Sequence, residues 1–384
     1  MHMHLCGRAA RLCLQAMQEP LFPDDDVSAP AVGPQSGHRV KMQNGSALAQ
    51  PALQILPQTP TPENIELAAA LPRLVHLGTS SWTFPGWKGL VWDGDYSDAQ
   101  LSKHGLAAYA QHPLFRAVSL DRAFYRPLSA QQYASYAAQV GEGFRFSVKA
   151  PALVTDATVR GESGRSPKFM QPNPAFLNPE LAMQDFVQPA LTGLGSKLGA
   201  LVFQISPLSA ALLADMPALL QRLATMLHGL PSREALRRHA PDAVMAVEVR
   251  DPEWLTPELA AVLRNAGATY CLGLHAKMPP IEGQLPMLRA LWPGPMVCRW
   301  SLNRRHGSYG YKDAVQRYSP FDRLVDEDIE TRSILASVII ATTHAGHAVY
   351  ATLNNKAEGS APLSVVALAR EMGDQLRRVR MPKG

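Results

Sequence analysis

From about residue 72 onward, strand-like and helix-like segments alternate eight times, and this alternation limits the fold more than any other feature. Strands are predicted at 74–80, 116–121, 144–149, 199–205, 243–250, 269–275, 296–303 and 347–354. Helices are predicted near 98–112, 129–140, 180–195, 209–228, 255–266, 284–291, 322–345 and 361–378. The fourth helix is the clearest. Leu212, Met216, Leu219, Leu223, Met226 and Leu230 recur at three- and four-residue steps and form one apolar stripe. Eight β–α pairs in this length predict a (β/α)8 TIM barrel of the α/β class over residues 72–384, with a doubly wound open sheet as the alternative.

The strand period then assigns faces. In the fifth strand Val244, Ala246, Glu248 and Arg250 share one side, and Met245, Val247 and Val249 share the other. A barrel strand turns one side to the helices and one to the axis. The wholly apolar side faces the helices, so Glu248 and Arg250 point inward. The same rule sends inward Ser80, Ser119 with Asp121, Ser147 with Lys149, Gln204 with Ser206, His275, Arg299 with Ser301 and Asn303, and Thr352 with Asn354. These polar residues lie toward the C-terminal strand ends, the face that carries active sites in barrel enzymes.

The predicted mouth holds three cations, Lys149, Arg250 and Arg299, and two acids, Asp121 and Glu248. A charge inside a barrel costs on the order of several kcal/mol unless it is paired or bound to a ligand. Glu248 paired with Arg250 or Arg299 as a brace is the structural alternative. All five charges together point to an anionic ligand. After the first strand, Trp82, Phe84, Trp87 and Trp92 crowd one loop and must either plug a core or line a pocket. Asn354 and Asn355 precede Ser360 and Pro362, which read as an N-cap and a first helical turn aimed at the mouth, a common phosphate position.

Two long connections could cover the mouth. Residues 150–179 carry five prolines, and residues 303–321 carry Arg304, Arg305, His306, Tyr309, Tyr311, Arg317 and Tyr318. The second could stack on and neutralise a nucleic acid. No GxSxG, P-loop, HExxH or GxGxxG turn occurs. No cofactor is expected. Asp121, Glu248 and His275 could hold a divalent ion, against which the three cations argue. His344 and His347 straddle a helix end and a strand start on the opposite face.

Residues 1–71 differ in kind. Eight prolines lie between Pro20 and Pro62, and little periodicity accompanies them, so a mostly disordered extension is expected. Met1 to Met17 resembles a short amphipathic targeting helix, though a dispensable extension is the preferred reading. Residues 1–70 hold four basic and six acidic side chains, so the net +5 of the chain leaves residues 71–384 at +7. That excess favours anionic ligands. No apolar run reaches the ~18–20 residues of a spanning helix. Cys6, Cys13, Cys271 and Cys298 show no CxxC spacing, and a reducing cytoplasm without disulfides is expected.

Several motifs together resemble domain-of-unknown-function family 72, also called YecE-like. Gly78-Thr79-Ser80-Ser81-Trp82 continues through Pro85, Trp87 and Gly89 as that family's first-strand motif does. Phe124-Tyr125-Arg126-Pro127 resembles its segment after strand two, and Phe144 through Pro151 its third-strand motif. Gln204 with Pro207, Ala246 through Arg250 with Trp254, Arg299, and Asn354-Asn355 are similar to its later strands. The resemblance covers residues 74–372 and implies a TIM barrel whose activity is not established. Departures are Ser119 for glutamate, Asp121 for asparagine, Asp156 for a histidine, Ser301-Leu302 for a histidine-glycine pair, and Ser364 for asparagine.

These observations yield three functional expectations. The first is binding of a small phosphorylated or carboxylated polar metabolite. Lys149, Arg250 and Arg299 would hold the anion. Ser80, Gln204, Asn354 and Asn355 would contact it, and Trp82, Tyr125 and Trp254 would wall the site. Asp121 or Glu248 would serve as general base and His275 as acid, in hydrolysis or isomerisation. The second is a non-catalytic binding or sensor protein, on account of the missing acid and histidines. The third is nucleic-acid binding through 303–321.

Overall fold

The computed structural model describes residues 54–160 and 170–380. Eight parallel strands close a barrel. They are β1 (Val75–Thr79), β2 (Ala117–Leu120), β3 (Arg145–Lys149), β6 (Leu198–Gln204), β7 (Val244–Glu248), β8 (Thr269–Leu274), β9 (Met296–Trp300) and β10 (Val349–Leu353), neighbours in chain order, with β10 returning to β1. Between β3 and β6, β4 (Thr158–Arg160) and β5 (Met170–Pro172) form a separate antiparallel pair. The eight predicted barrel strands are all present, and the (β/α)8 expectation holds.

The inward face assigned from the strand period is a distinct interior cluster of Ala200, Val202, Val244, Ala246, Cys271, Val297 and Tyr350. Met245, Val247, Val249 and Cys298 belong instead to the larger core between strands and helices. Small side chains dominate the interior because Tyr350 crosses it. Its hydroxyl donates to Asp242 O at 2.7 Å, and His76 stacks on its ring at 5.1 Å. Pairing between β3 and β6 shifts register at Gly199, where a Cβ would lie 2.7 Å from the Tyr350 ring. The bulge and the missing side chain together make room for that ring.

The first seam is equally tight. A Cβ on Gly78 would stand 1.8 Å from Ala117 O. The buried Tyr109 hydroxyl donates to Ala117 O at 3.0 Å and accepts from Thr79 N at 3.0 Å, tying β1 to β2. Trp87 and Trp92 are fully buried. Trp87 Nε1 donates to Asn355 Oδ1 at 3.1 Å, and the same oxygen accepts from Ala361 N at 2.8 Å. One asparagine thus joins the loop after β1 to the start of the last helix.

Helix boundaries differ from the expected ones where a local cap intervenes. The apolar stripe over 209–228 divides into Ala210–Leu213 and Met216–His228, because Asp215 caps Ala218 N and Pro217 follows. The helix expected at 322–345 begins at Ile329, where Asp328 accepts from Thr331 N at 3.0 Å. Residues 311–318, read as loop, form a helix.

Residues 54–71 of the Pro-rich segment are among those described, and they pack on the barrel. Residues 62–70 form a helix capped by Thr61 that buries Leu67 and Ala68. Arg116 holds it through Ala68 O at 2.6 Å, and Gln58 N donates to Val91 O at 2.8 Å. The Met1–Met17 segment, Cys6 and Cys13 lie outside the described residues. No helix of the described residues is long and apolar enough to cross a membrane.

Candidate functional site

At the C-terminal ends of the strands, β2, β6, β7 and β9 deliver a connected set of charges. Strand alternation carries Glu248 and Arg250 to the same side, and the parallel register places Gln204 beside Glu248. Glu248 is fully buried. Its Oε2 takes Arg299 Nη1 at 2.8 Å, and its Oε1 lies 2.5 Å from Arg250 Nη2. Gln204 Oε1 accepts from both arginines, at 3.0 Å and 3.1 Å. Asp121 takes Arg299 Nη2 at 2.6 Å and is held by Ser119 Oγ at 2.6 Å. The structure therefore brings together Asp121, Gln204, Glu248, Arg250 and Arg299. The Nε atoms of both arginines, together with Ser147 Oγ and Thr352 Oγ1, are buried without a hydrogen-bond partner among the described residues.

Lys149 ends β3 and is nearly covered. Its Nζ lies 3.4 Å from the centroid of the Phe124 ring. Burial is the main force removing its proton. Asp121 opposes that loss, Arg299 and Arg250 assist it, and its pKa falls to about 7. Arg299 moves the other way. Its burial is outweighed by Asp121 and Glu248, which raise its pKa further. The guanidiniums are thus fixed charges and the lysine is not.

His275 is held neutral. Burial, with Arg250 and Lys277, lowers its pKa to about 2, and its Nδ1 accepts Lys277 N at 3.1 Å. The imidazolium acid expected from the sequence is not favoured by these surroundings. Among the described residues no three His, Cys, Asp or Glu side chains form a group able to hold a metal ion. Asp121, Glu248 and His275 are accordingly not brought together as ligands; guanidiniums stand against both carboxylates.

The aromatic residues divide. Tyr125 is 43% exposed, and its hydroxyl senses Tyr311 and Asp121 as well as its partial burial, which leads in raising its pKa to about 12. Trp82 turns away from the axis: its Nε1 donates to Leu101 O at 3.1 Å, and its ring meets Tyr136 edge-on. Trp254 is fully buried in the outer core. Ser80 is buried at the end of the β1 pairing, its N–H donating to Leu353 O at 2.9 Å. Asn354 caps Lys356 N at 3.1 Å, while Asn355 is the bolt described above. Because Asn355 occupies Ala361 N and Ser360 is fully buried, the last helix start is covered rather than open to a phosphate.

Sequence reasoning missed the roles of three residues here. Lys356, 1% exposed, places Nζ 3.3 Å from Asn354 Oδ1 and 4.1 Å from the Tyr311 ring centroid. Phe124 covers Lys149. Asp156, in the turn after β3, lies 2.5 Å from Ser206 Oγ, and burial leads in raising its pKa. Phe124 and Asp156 had each left a signal, one within a family motif and one as a departure from it. Arg304, Arg305, His306 and Arg317 of 303–321 have partners within the chain, while Lys312 is exposed. Arg304 donates to Met278 O, Arg305 and Arg317 pair with Asp326, and His306 bonds Tyr318.

The architecture and this mouth define a (β/α)8 barrel protein with a charged C-terminal face. The model of the family described as "Protein of unknown function DUF72" matches residues 76–384, and the chain belongs to that family. A DUF72 family protein from Thermotoga maritima is similar at 20% identity, over 79% of this chain and 99% of that one, with a TM-score of 0.47. A DUF72 family protein from Enterococcus faecalis is similar at 16% identity, over 78% and 95%, with a TM-score of 0.47. None of the curated proteins matches the chain.

Proposed function

We propose that the barrel mouth binds a small anionic polar metabolite, carboxylated or phosphorylated, between Arg250 and Arg299. One observation carries this reading. Two buried guanidiniums share Glu248 and Gln204, each keeps a buried Nε without a partner among the described residues, and, unlike Arg332, whose Nε is also unpartnered, they stand beside buried Lys149 and Lys356. A buried donor left unmade costs about 1–3 kcal/mol, and more when charged. An anion at the mouth removes that cost, and forked guanidiniums suit carboxylate or phosphate oxygens. Lys356 adds a further cation beside the same face.

Glu248 is then a positioning residue whose two oxygens orient the arginines. Asp121, with its side chain 27% exposed, is the carboxylate open to a ligand. It is the general base of choice for proton transfer in an isomerisation or hydrolysis. Thermal unfolding with phosphate or malonate tests the binding. Ligand at a hundredfold its Kd stabilises by about 2.7 kcal/mol. Arg250→Met should abolish the response. Equal responses in wild type and variant would overturn the reading.

A further inference from the structure

Lys149 differs from the two arginines of the mouth. Arg250 and Arg299 each hold a carboxylate, whereas no described carboxylate pairs with Lys149. Its nitrogen stands under the Phe124 ring at the C-terminal end of a barrel strand, where it is 8% exposed. A lysine that only anchored an anion would gain from remaining charged. Here the barrel wall excludes water from the amine and two fixed guanidiniums repel its proton, against the attraction of the Phe124 ring face for an ammonium. Asp121, Glu248 and Asp156 are the carboxyl groups that face it, and two of the three are consumed by arginine. This is how a lysine is made a nucleophile near neutrality.

We propose that Lys149 is a catalytic amine that forms an imine with the carbonyl carbon of an oxo acid whose carboxylate sits on Arg250 and Arg299. This rests on the anion-binding reading and narrows the ligand to one that carries both a carboxylate and a ketone or aldehyde. The lone pair of neutral Nζ forms the C–N bond while the carbonyl oxygen takes a proton, giving a carbinolamine. A second proton to that oxygen and one lost from nitrogen let water leave, breaking the C–O bond and giving the imine, which is protonated on nitrogen. Hydrolysis returns the amine and the carbonyl, with no net oxidation. Asp156, bound to Ser206 Oγ and free of arginine among the described residues, carries the proton between nitrogen and oxygen. Burial keeps its carboxyl protonated to higher pH than usual.

Imine trapping tests the proposal on the full chain. The protein is incubated with glyoxylate and cyanoborohydride near neutral pH, and modified lysines are located by peptide mapping. The expected result is reduction concentrated on Lys149, on the order of tenfold or more faster than on exposed Lys88, Lys103 and Lys312. Malonate, which carries no ketone or aldehyde, should slow labelling of Lys149 alone. Lys149→Arg should bind malonate and lose the adduct; should that variant not fold, the wild-type map decides. Labelling no faster at Lys149 than at exposed lysines, with malonate still stabilising the protein, would overturn the amine and leave the anion site standing. No preferential labelling together with no malonate response would overturn both.

Discussion

Among the described residues, two buried carboxylate–guanidinium clusters differ in their balance of charge. At the mouth, two arginines converge on fully buried Glu248, Asp121 adds a second carboxylate, and buried Lys149 and Lys356 stand beside them. Beneath the segment that leads into the Ile329–His344 helix, two glutamates converge on one arginine. Arg332 Nη2 lies 2.5 Å from buried Glu358 and 3.1 Å from Glu327. Glu358 also accepts Asp328 N at 2.9 Å, and its carbonyl accepts Val325 N at 2.8 Å. The second cluster is a brace that pins residues 325–328 to the turn after β10. The open groove of about 590 Å³ beside it is lined by Asp326, Glu327, Asp328 and Glu330 and by none of the mouth's charges. The lesson is that burial of a salt bridge says little by itself. Which sign is left over distinguishes a brace from a binding site.

The sharpest way to break this comparison is to remove the shared carboxylate from each. Glu248→Ala, which leaves buried Arg250 without a carboxylate, should destabilise by about 3–5 kcal/mol, and Glu358→Ala, which leaves Arg332 only the half-exposed Glu327, by somewhat less. Urea unfolding with and without sulfate separates them: sulfate should recover much of the Glu248→Ala loss and little of the Glu358→Ala loss. Equal recovery would mean that the mouth is only another brace.

A second, smaller effect sharpens the mouth's side. The folded Lys149 amine has its pKa lowered to about 7, mainly by burial, below the usual 10.5. The unfolded chain therefore binds more protons between these values, and its contribution to stability falls as pH drops from about 10.5 to 7. Lys149→Met should stabilise the protein at pH 7 by an amount on the order of a few kcal/mol, a gain that vanishes near pH 10.5. A pH-independent difference in urea midpoint would refute the burial argument.

The smallest effect belongs to the brace's rim. Arg305 is half exposed and shares Asp326 with Arg317, so Arg305→Ala should cost no more than about 1 kcal/mol. A larger loss in thermal unfolding would show that the rim and the buried brace act as one network.

The barrel was legible because its strands are short and wholly buried, and period two then placed Glu248, Arg250, Gln204 and Arg299 on one interior face without ambiguity. Residues beyond the strand ends were not legible, because no period governs a loop. Trp82 looked like a pocket wall until Leu101 O took its indole. Asn355 looked like a ligand, but its partner Trp87 lies 268 residues away in sequence. Lys356 follows it and escaped notice for the same reason. The Thr61-Pro62-Glu63 helix start was readable as a cap, but the surrounding prolines masked it.

Diffraction from crystals grown or soaked in sulfate addresses the central claim most directly. The account predicts a sulfate in the barrel mouth, within hydrogen-bond reach of Arg250 and Arg299. Sulfate ordered at other sites, with none in the mouth, would contradict it.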